Sequence, residues 1–278
     1  MAKASTSFSS DRQDIQVPSG FHDLDDVMGG FRKGDLIIIA ARPSMGKTSL
    51  SLGMVLNAAK RGSRVGVVSL EMNREQSLAR LLAAETGVHR QYLNRGYLND
   101  EEWQLVLDAS ARLAQLPIFI DDTAELTIQD LSSKSRRLMA EVGVDLVVID
   151  YLQLIEGSAG PDTDRREEMS EITRGLKLLA RELNIPIVAC VQLPRATEYM
   201  TNYVPKLRDL TDIGLALEDA DIVMFIHREE MYNPDTEKKG IAELHIARHR
   251  NGPLTTIPLR FFSRTNKFAD LEVYQQEE

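Results

Sequence analysis

A glycine followed by lysine and threonine, set where an apolar run breaks into a helical pattern, is equipped to hold phosphate. Ala41-Arg42-Pro43-Ser44-Met45-Gly46-Lys47-Thr48 has that setting, with the strand candidate Leu36–Ala40 before it and the helical Ser49–Lys60 after it. Such a turn aims successive backbone N–H groups and the positive end of a helix at phosphate oxygens. Gly46 permits close approach, Lys47 neutralises the β- and γ-phosphates, and the Thr48 hydroxyl can ligate Mg²⁺. Arg42, Ser44, Met45 and Ser49 complete the expected binding set. The loop departs from the usual G-x-x-x-x-G-K-S/T pattern at its first position, where Ala41 stands for Gly. A chance Gly-Lys-Thr at a helix start is the bland alternative.

Other side chains sit where they could serve that loop. Leu146-Val147-Val148-Ile149-Asp150 is an apolar strand ending in a carboxylate, a position from which Asp150 can hold Mg²⁺ beside the phosphates. Glu71 follows the strand Val65–Ser69 and can polarise an attacking water, although a carboxylate at a helix entrance would look the same. Gln192, after Ile187–Val191, is placed to sense a γ-phosphate or to act as a plain loop amide. Arg248 and Arg250, two apart at a strand end beside Asn251-Gly252-Pro253, fit either a phosphate-seeking arginine or a solvated basic hairpin tip.

These residues need a scaffold that brings strand exits to one edge. Leu36–Ala40, Val65–Ser69, Ile118–Asp121, Leu146–Asp150 and Ile187–Val191 read as buried parallel strands alternating with helices. Asn73 with Gln76, Asn99 with Glu102 and Thr127 with Asp130 are helix-start signals, the first two nearer a true capping box. Met169, Ile172, Leu176, Leu179 and Leu183 put one apolar face on a helix from about Arg165 to Asn184, which Pro186 cannot continue. Past Asp221, Ile222–His227, Ile241–His249 and Thr255–Phe261 read as an antiparallel extension of the sheet. The polar residues 1–16 are expected to form a mobile tail before one domain over 17–278.

Composition narrows the class. With 43% hydrophobic and 27% charged residues the chain can build a large core. Its longest apolar stretch, Leu36 to Ala41, falls far short of the ~20 residues that cross a bilayer, and no secretory h-region follows Lys3. Lone Cys190 forms no intramolecular disulfide and fits a reducing, cytoplasmic setting. No cysteine joins the five histidines in a zinc-ligand pattern, so any metal should be bound by oxygen. A net charge of −9 argues against a broad basic nucleic-acid face and leaves that role to local cations.

Taken together, the sequence resembles the C-terminal, RecA-like motor domain of the DnaB-type replicative helicases, from about Pro18 to Phe262. The resemblance rests on Gly20-Phe21, Leu24-Asp25, Gly29-Gly30, Ala40 through Thr48, Ser69-Leu70-Glu71-Met72, Val148 through Leu154, and Arg248 to Pro253. It implies a RecA-like P-loop NTPase of the α/β class, with a mostly parallel central sheet flanked by helices. Hexameric rings with ATP and Mg²⁺ at subunit junctions, single-stranded DNA as the track and a helicase loader as a further partner are also implied. By it Lys47 and Thr48 bind ATP and Mg²⁺, Asp150 supports the metal, and Glu71 is the catalytic base. Gln192 couples the γ-phosphate to DNA, and Arg250 is an arginine finger for the neighbouring site, with Arg248 at a position the family usually gives to Lys.

Three departures accompany the resemblance. Only a polar tail precedes Val17, where the family carries a helical domain and linker that help close the ring. Val191-Gln192-Leu193-Pro194-Arg195 differs around the Gln, where the family usually has Ser before it. The DNA loop reads Thr211-Asp212-Ile213-Gly214-Leu215-Ala216-Leu217, without the family's Arg and with added apolar residues. Contacts to DNA from Thr211, Asp212, Gly214 and Arg195 are therefore expected to be weak, with backbone amides near Gly214 contributing and the apolar residues packing on a neighbour. A regulatory or loading ATPase without unwinding, and a nucleotide-stabilised assembly module, are the rival readings.

Overall fold

Alternating strand and helix signals fold here into one large sheet with helices on both faces. The computed structural model describes residues 16–157, 164–195 and 204–271. In chain order the elements are α1 (His22–Met28), β1 (Leu36–Ala41), α2 (Lys47–Lys60), β2 (Val65–Ser69), α3 (Arg74–Thr86), α4 (Arg90–Arg95) and α5 (Asp100–Leu113). There follow β3 (Ile118–Asp121), β4 (Leu126–Thr127), α6 (Ile128–Val142), β5 (Leu146–Asp150), β6 (Ile155–Glu156), α7 (Arg165–Leu183) and β7 (Ile187–Gln192). The last are α8 (Leu207–Thr211), β8 (Ile222–His227), β9 (Ile241–His249), β10 (Thr255–Phe262) and β11 (Lys267–Asp270). Residues 1–15 of the expected tail lie outside the described residues.

Nine strands pair in the order β11-β10-β9-β8-β1-β7-β5-β2-β3, with β4 and β6 forming a separate parallel pair. Strand β1 is buried at every position, and its side chains alternate between two cores. Ile37, Ile39 and Ala41 join one core with α1 and α2, while Leu36, Ile38 and Ala40 join the other with α6 and α7. The predicted stripe on α7 holds: Met169, Ile172, Leu176 and Leu179 are all buried, and the helix ends on left-handed Asn184. All three start signals, Thr127 with Asp130 included, are complete capping boxes.

One strand departs from expectation. β8 belongs to the parallel set, pairing Ile37 with Ile222 and Ala41 with Ile226, and only its other side meets β9 antiparallel. The antiparallel extension therefore begins at β9, and β11 lengthens it beyond the predicted strands. β8 is apolar on both faces, as a strand covered on both sides must be, whereas β9 alternates buried and half-buried residues. Cys190 is fully buried in β7, and burial pushes its thiol pKa far up, so it is an inert packing residue. Among the described residues no helix is long and apolar enough to cross a membrane.

Candidate active site

Because β8, β1, β7, β5 and β2 run parallel, the residues that leave their C-terminal ends gather along one edge. Ala41 is level with Gln192 and Ile226, and Ser69 is level with Asp150. The loop after β1, Gln192 at the end of β7, Asp150 at the end of β5 and Glu71 beyond β2 thus share the edge at which open α/β sheets bind ligands. The loop, Gln192 and Glu71 border a cleft of about 420 Å³ that also takes in residues from α3, α4 and the β10–β11 turn, and Asp150 lies beside it, paired with the lining residue Lys47.

The phosphate loop is shaped by two residues with positive φ, Ser44 at 67° and Gly46 at 102°. Gly46 has no alternative here, since a Cβ would lie 2.8 Å from the Phe268 ring. It serves as the N-cap of α2 and supplies no side-chain cap, which leaves the first N–H groups of that helix facing the cleft. Lys47 and Asp150 form an ion pair at 2.8 Å, each with its side chain only 7% exposed, and Lys47 Nζ also lies 4.0 Å from the Tyr151 ring centre. Among the described residues neither Lys47 Nζ nor Asp150 Oδ1 makes a well-aligned hydrogen bond.

Those orphaned buried atoms, and a loop that a Cβ would obstruct, are what a phosphate and its metal require: a donor cation, an oxygen ligand and room for close backbone approach. The residues present fit Mg-ATP. Ser49 Oγ accepts from Arg80 Nη1 at 3.4 Å, so the start of α2 is tied to α3. Arg42, Lys47, Arg80, Arg90 and Arg228 line the cleft with one carboxylate, Glu71, in a chain of net charge −9. Burial lowers the Arg80 guanidinium pKa and Arg90 lowers it further, against the pull of Asp150 and Glu71. Cations crowded to that degree call for a polyanion.

Several of these residues were not anticipated. Arg228 follows β8 as Asp150 ends β5, and that strand-exit position is the signal that could have found it. It is 6% exposed, donates from Nη1 to the Ser44 carbonyl at 3.3 Å and from Nε to Glu230 at 3.0 Å, and stacks 3.8 Å from the Phe261 ring centre. Arg80 and Arg90 carry no such signal, since only the packing of α3 and α4 brings them to the cleft. Gln153 grips the Gln192 backbone from both sides, donating to its carbonyl at 2.7 Å and accepting from its N–H at 3.2 Å.

Arg248 and Arg250 are not in this cleft. β9 runs antiparallel to β8, pairing His249 with Ile222, so its end lies at the N-terminal edge of the sheet. Arg248 Nε donates to the Ala220 carbonyl at 2.9 Å, and Arg250 Nη2 donates to the Glu218 carbonyl. The segment expected to meet DNA is closed on itself. The amides of Asp212, Ile213, Gly214 and Leu215 donate to Arg208, Leu210, Thr211 and Leu210 carbonyls, and the Thr211 hydroxyl to that of Arg208. Gly214, at φ 87°, sits so close to Arg166 that a Cβ would be 2.3 Å from its Cα. Leu215 is buried, and Ile213 and Leu217 pack against the same core, so they fill their own domain instead of a neighbour's surface. Arg195 is exposed past the end of β7.

Residues 16–270 match the DnaB-like helicase C terminal domain family. The chain belongs to that family. The replicative DNA helicase DnaB of Geobacillus stearothermophilus is 44% identical over 257 residues, and the replicative DNA helicase DnaC of Bacillus subtilis (strain 168) is 43% identical over 257 residues. Each alignment covers 92% of this chain and 57% of the relative, so this DnaB-like C-terminal domain spans little more than half their length. A solved structure of a DnaB-like replicative helicase and its interactions with primase superposes with a TM-score of 0.88 at 35% identity, covering 95% of this chain and 64% of that one. A solved ATPase domain gives the same TM-score and identity, with 94% of its chain covered. The RecA-like P-loop NTPase fold is thereby established.

Removing one member of a buried ion pair strands the other, at a cost of about 3–5 kcal/mol. Asp150→Ala should therefore lower the stability of the nucleotide-free chain by about 3 kcal/mol. Urea unfolding would read it, and a change below about 0.5 kcal/mol, the scatter of ordinary surface substitutions, would mean that Lys47 is not held by Asp150.

Proposed function

We propose that this chain is the Mg-ATP-driven motor domain of a ring-forming replicative DNA helicase, moving along single-stranded DNA and unwinding duplex. The observation that carries the reading is the separation of Arg250 from its own phosphate loop. β1 spans the distance between them, its Leu36 end beside β8's start and its Ala41 end at the loop, roughly 16 Å for five residue steps. An arginine finger at that edge can act only on a neighbouring copy, which makes ATP sites at junctions and a closed, head-to-tail ring the natural assembly.

In this reading the N–H groups at the start of α2, with Ser44, Met45, Gly46 and Ser49 around them, bind the phosphates, and Lys47 neutralises them. Arg42 and Arg228 flank the loop. Thr48 and Asp150 would hold Mg²⁺, which when bound supplies charge neutralisation across the β- and γ-phosphates. Glu71 orients the attacking water and accepts its proton, a role open to an exposed carboxylate at the cleft wall. Gln192, fixed by Gln153, carries the state of the γ-phosphate to the segment after β7. Arg250 stabilises charge on the neighbour's transferring phosphate, and Arg248 braces the same hairpin. With the amides of 212–215 used internally, Thr211, Asp212 and Gly214 have little to offer DNA, and Arg195 is the first cation available for it.

Glu71→Gln should keep ATP affinity while losing about 10²–10⁴ in turnover, the range of a general base. Lost affinity with preserved turnover would reverse the roles of the two carboxylates. Arg250→Ala and Lys47→Ala should each be nearly inactive, yet a mixture should hydrolyse ATP faster than the sum of the two alone. Rates that merely sum would count against action across a junction.

DNA provides the test of the whole reading. ATP turnover should rise with single-stranded DNA, and strand displacement should follow ATP addition. Turnover indifferent to DNA would point to a regulatory or loading ATPase, and tight ATP binding without hydrolysis to an assembly module. Affinity for single-stranded DNA should be weak and only shallowly salt-dependent, and Thr211→Arg should steepen the salt slope by roughly 0.7 units, the value for one added cation on a single strand. Tight binding that this substitution leaves unchanged would place the grip elsewhere.

A further inference from the structure

At the edge of the sheet opposite the phosphate loop, one buried carboxylate gathers four elements. Asp221 is 3% exposed and immediately precedes β8. Its Oδ2 accepts from the Leu36 N–H at the start of β1 at 2.8 Å and from Lys177 Nζ of α7 at 2.5 Å. Its Oδ1 faces Arg250 Nε at 3.4 Å. The backbone joins in, with the Asp221 N–H donating to the Leu36 carbonyl and the Asp221 carbonyl accepting from the Arg250 N–H, both at 2.9 Å. Lys177 also donates to the Gly34 carbonyl at 2.8 Å, which fixes the cation independently of Arg250.

We infer that Asp221 is a positioning residue that sets the guanidinium of Arg250 for the neighbouring subunit's ATP. This rests on the trans-acting role proposed for Arg250. An exposed arginine loses much rotamer freedom when it engages a phosphate, and holding it beforehand removes that cost from the reaction. Asp221 ion-pairs with the Nε edge at 3.4 Å and the Glu218 carbonyl accepts from Nη2, while Nη1 makes no hydrogen bond among the described residues. The guanidinium is anchored along one side and open on the other, and Arg250 keeps 45% of its side chain exposed. A carboxylate that merely stored the arginine on its own chain would be expected to cover its free donors. Lys177 prevents Asp221 from acting as a second, competing anion at the finger, because it offsets the carboxylate charge from the far side.

The geometry gives a second property. Asp221 is bonded to Leu36, and β1 runs from Leu36 straight to the phosphate loop, so the finger lent to one site and the loop that builds the next share a single strand. The position of Arg250 is thus referenced to its own subunit's nucleotide site through backbone hydrogen bonds.

The test compares Asp221→Asn, Arg250→Ala, Arg250→Lys and the double Asp221→Asn/Arg250→Ala by steady-state ATPase with single-stranded DNA, alongside ATP binding, solution mass and thermal unfolding. Asp221→Asn retains an acceptor for the Leu36 N–H while removing the charge on Nε. It should lower kcat about tenfold with KM changed less than twofold, and the double variant should be no slower than Arg250→Ala alone. Equal fold-losses with and without Arg250 would make Asp221 a purely structural residue and overturn the inference, and a rise in kcat would show that it stows the finger. Should Asp221→Asn fail to fold, Arg250→Lys decides, because lysine keeps the charge and has no Nε–H to anchor. Turnover as low as in Arg250→Ala supports anchoring, and turnover above half of the unmodified chain refutes it. Near-normal kcat in Arg250→Ala would instead remove the trans-acting reading itself.

Discussion

Lys47 and Asp150 are held 2.8 Å apart with almost no access to water. Taking two such charges out of solvent costs several kcal/mol per ion, and their mutual attraction repays this fully only when the remaining donors and acceptors are satisfied. Here they are not, so the pair is stable enough to preserve the site and incomplete enough to favour an incoming ligand. The rest of the domain is arranged to keep it so. Two helix-covered cores hold β1 and β5 in place, Tyr151 covers the ammonium, and Phe268 leaves room for Gly46 alone.

The same constraint divides the sheet into two working edges. Strand exits carry Asp150, Gln192, Arg228 and the phosphate loop, whereas strand entries carry Asp221 and the hairpin arginines. The polarity of a parallel sheet produces this division without any long-range search, because every crossover returns the chain to the same side. The antiparallel β8–β9 turn-back is what breaks the rule, and it does so in order to deliver Arg248 and Arg250 to the opposite edge.

Much of this was legible in the residues. Strand-like runs located eight of the strands to within a residue, and the loop Ala41–Thr48 declared its chemistry through Gly46-Lys47-Thr48 between a strand and a helix. Asn73, Asn99 and Thr127 marked helix starts because a cap and its partner are neighbours in sequence. What stayed hidden depends on contacts between distant segments. Arg80 and Arg90 sit on helices whose faces give no hint of a cleft, and β8 was assigned to the antiparallel set because its pairing with β1 is settled 185 residues away by Asp221 and Leu36. The 212–215 turn reads as open to phosphate, yet its amides are spent on carbonyls only three to five residues back, a closure that composition cannot reveal.

β8 joins Asp221 at its entry to Arg228 at its exit, and it is hydrogen-bonded along both sides, to β1 and to β9. The ladder with β1 is regular throughout, whereas the ladder with β9 changes register between Val223 and Met224, close to the Asp221 end. A bulge of this kind bends and twists a strand locally, so the two ends of β8 are not equally constrained: the Arg228 end beside the phosphate loop keeps regular pairing on both sides, and the Asp221 end relies on its own side-chain bonds to Leu36 and Lys177 to stay in place.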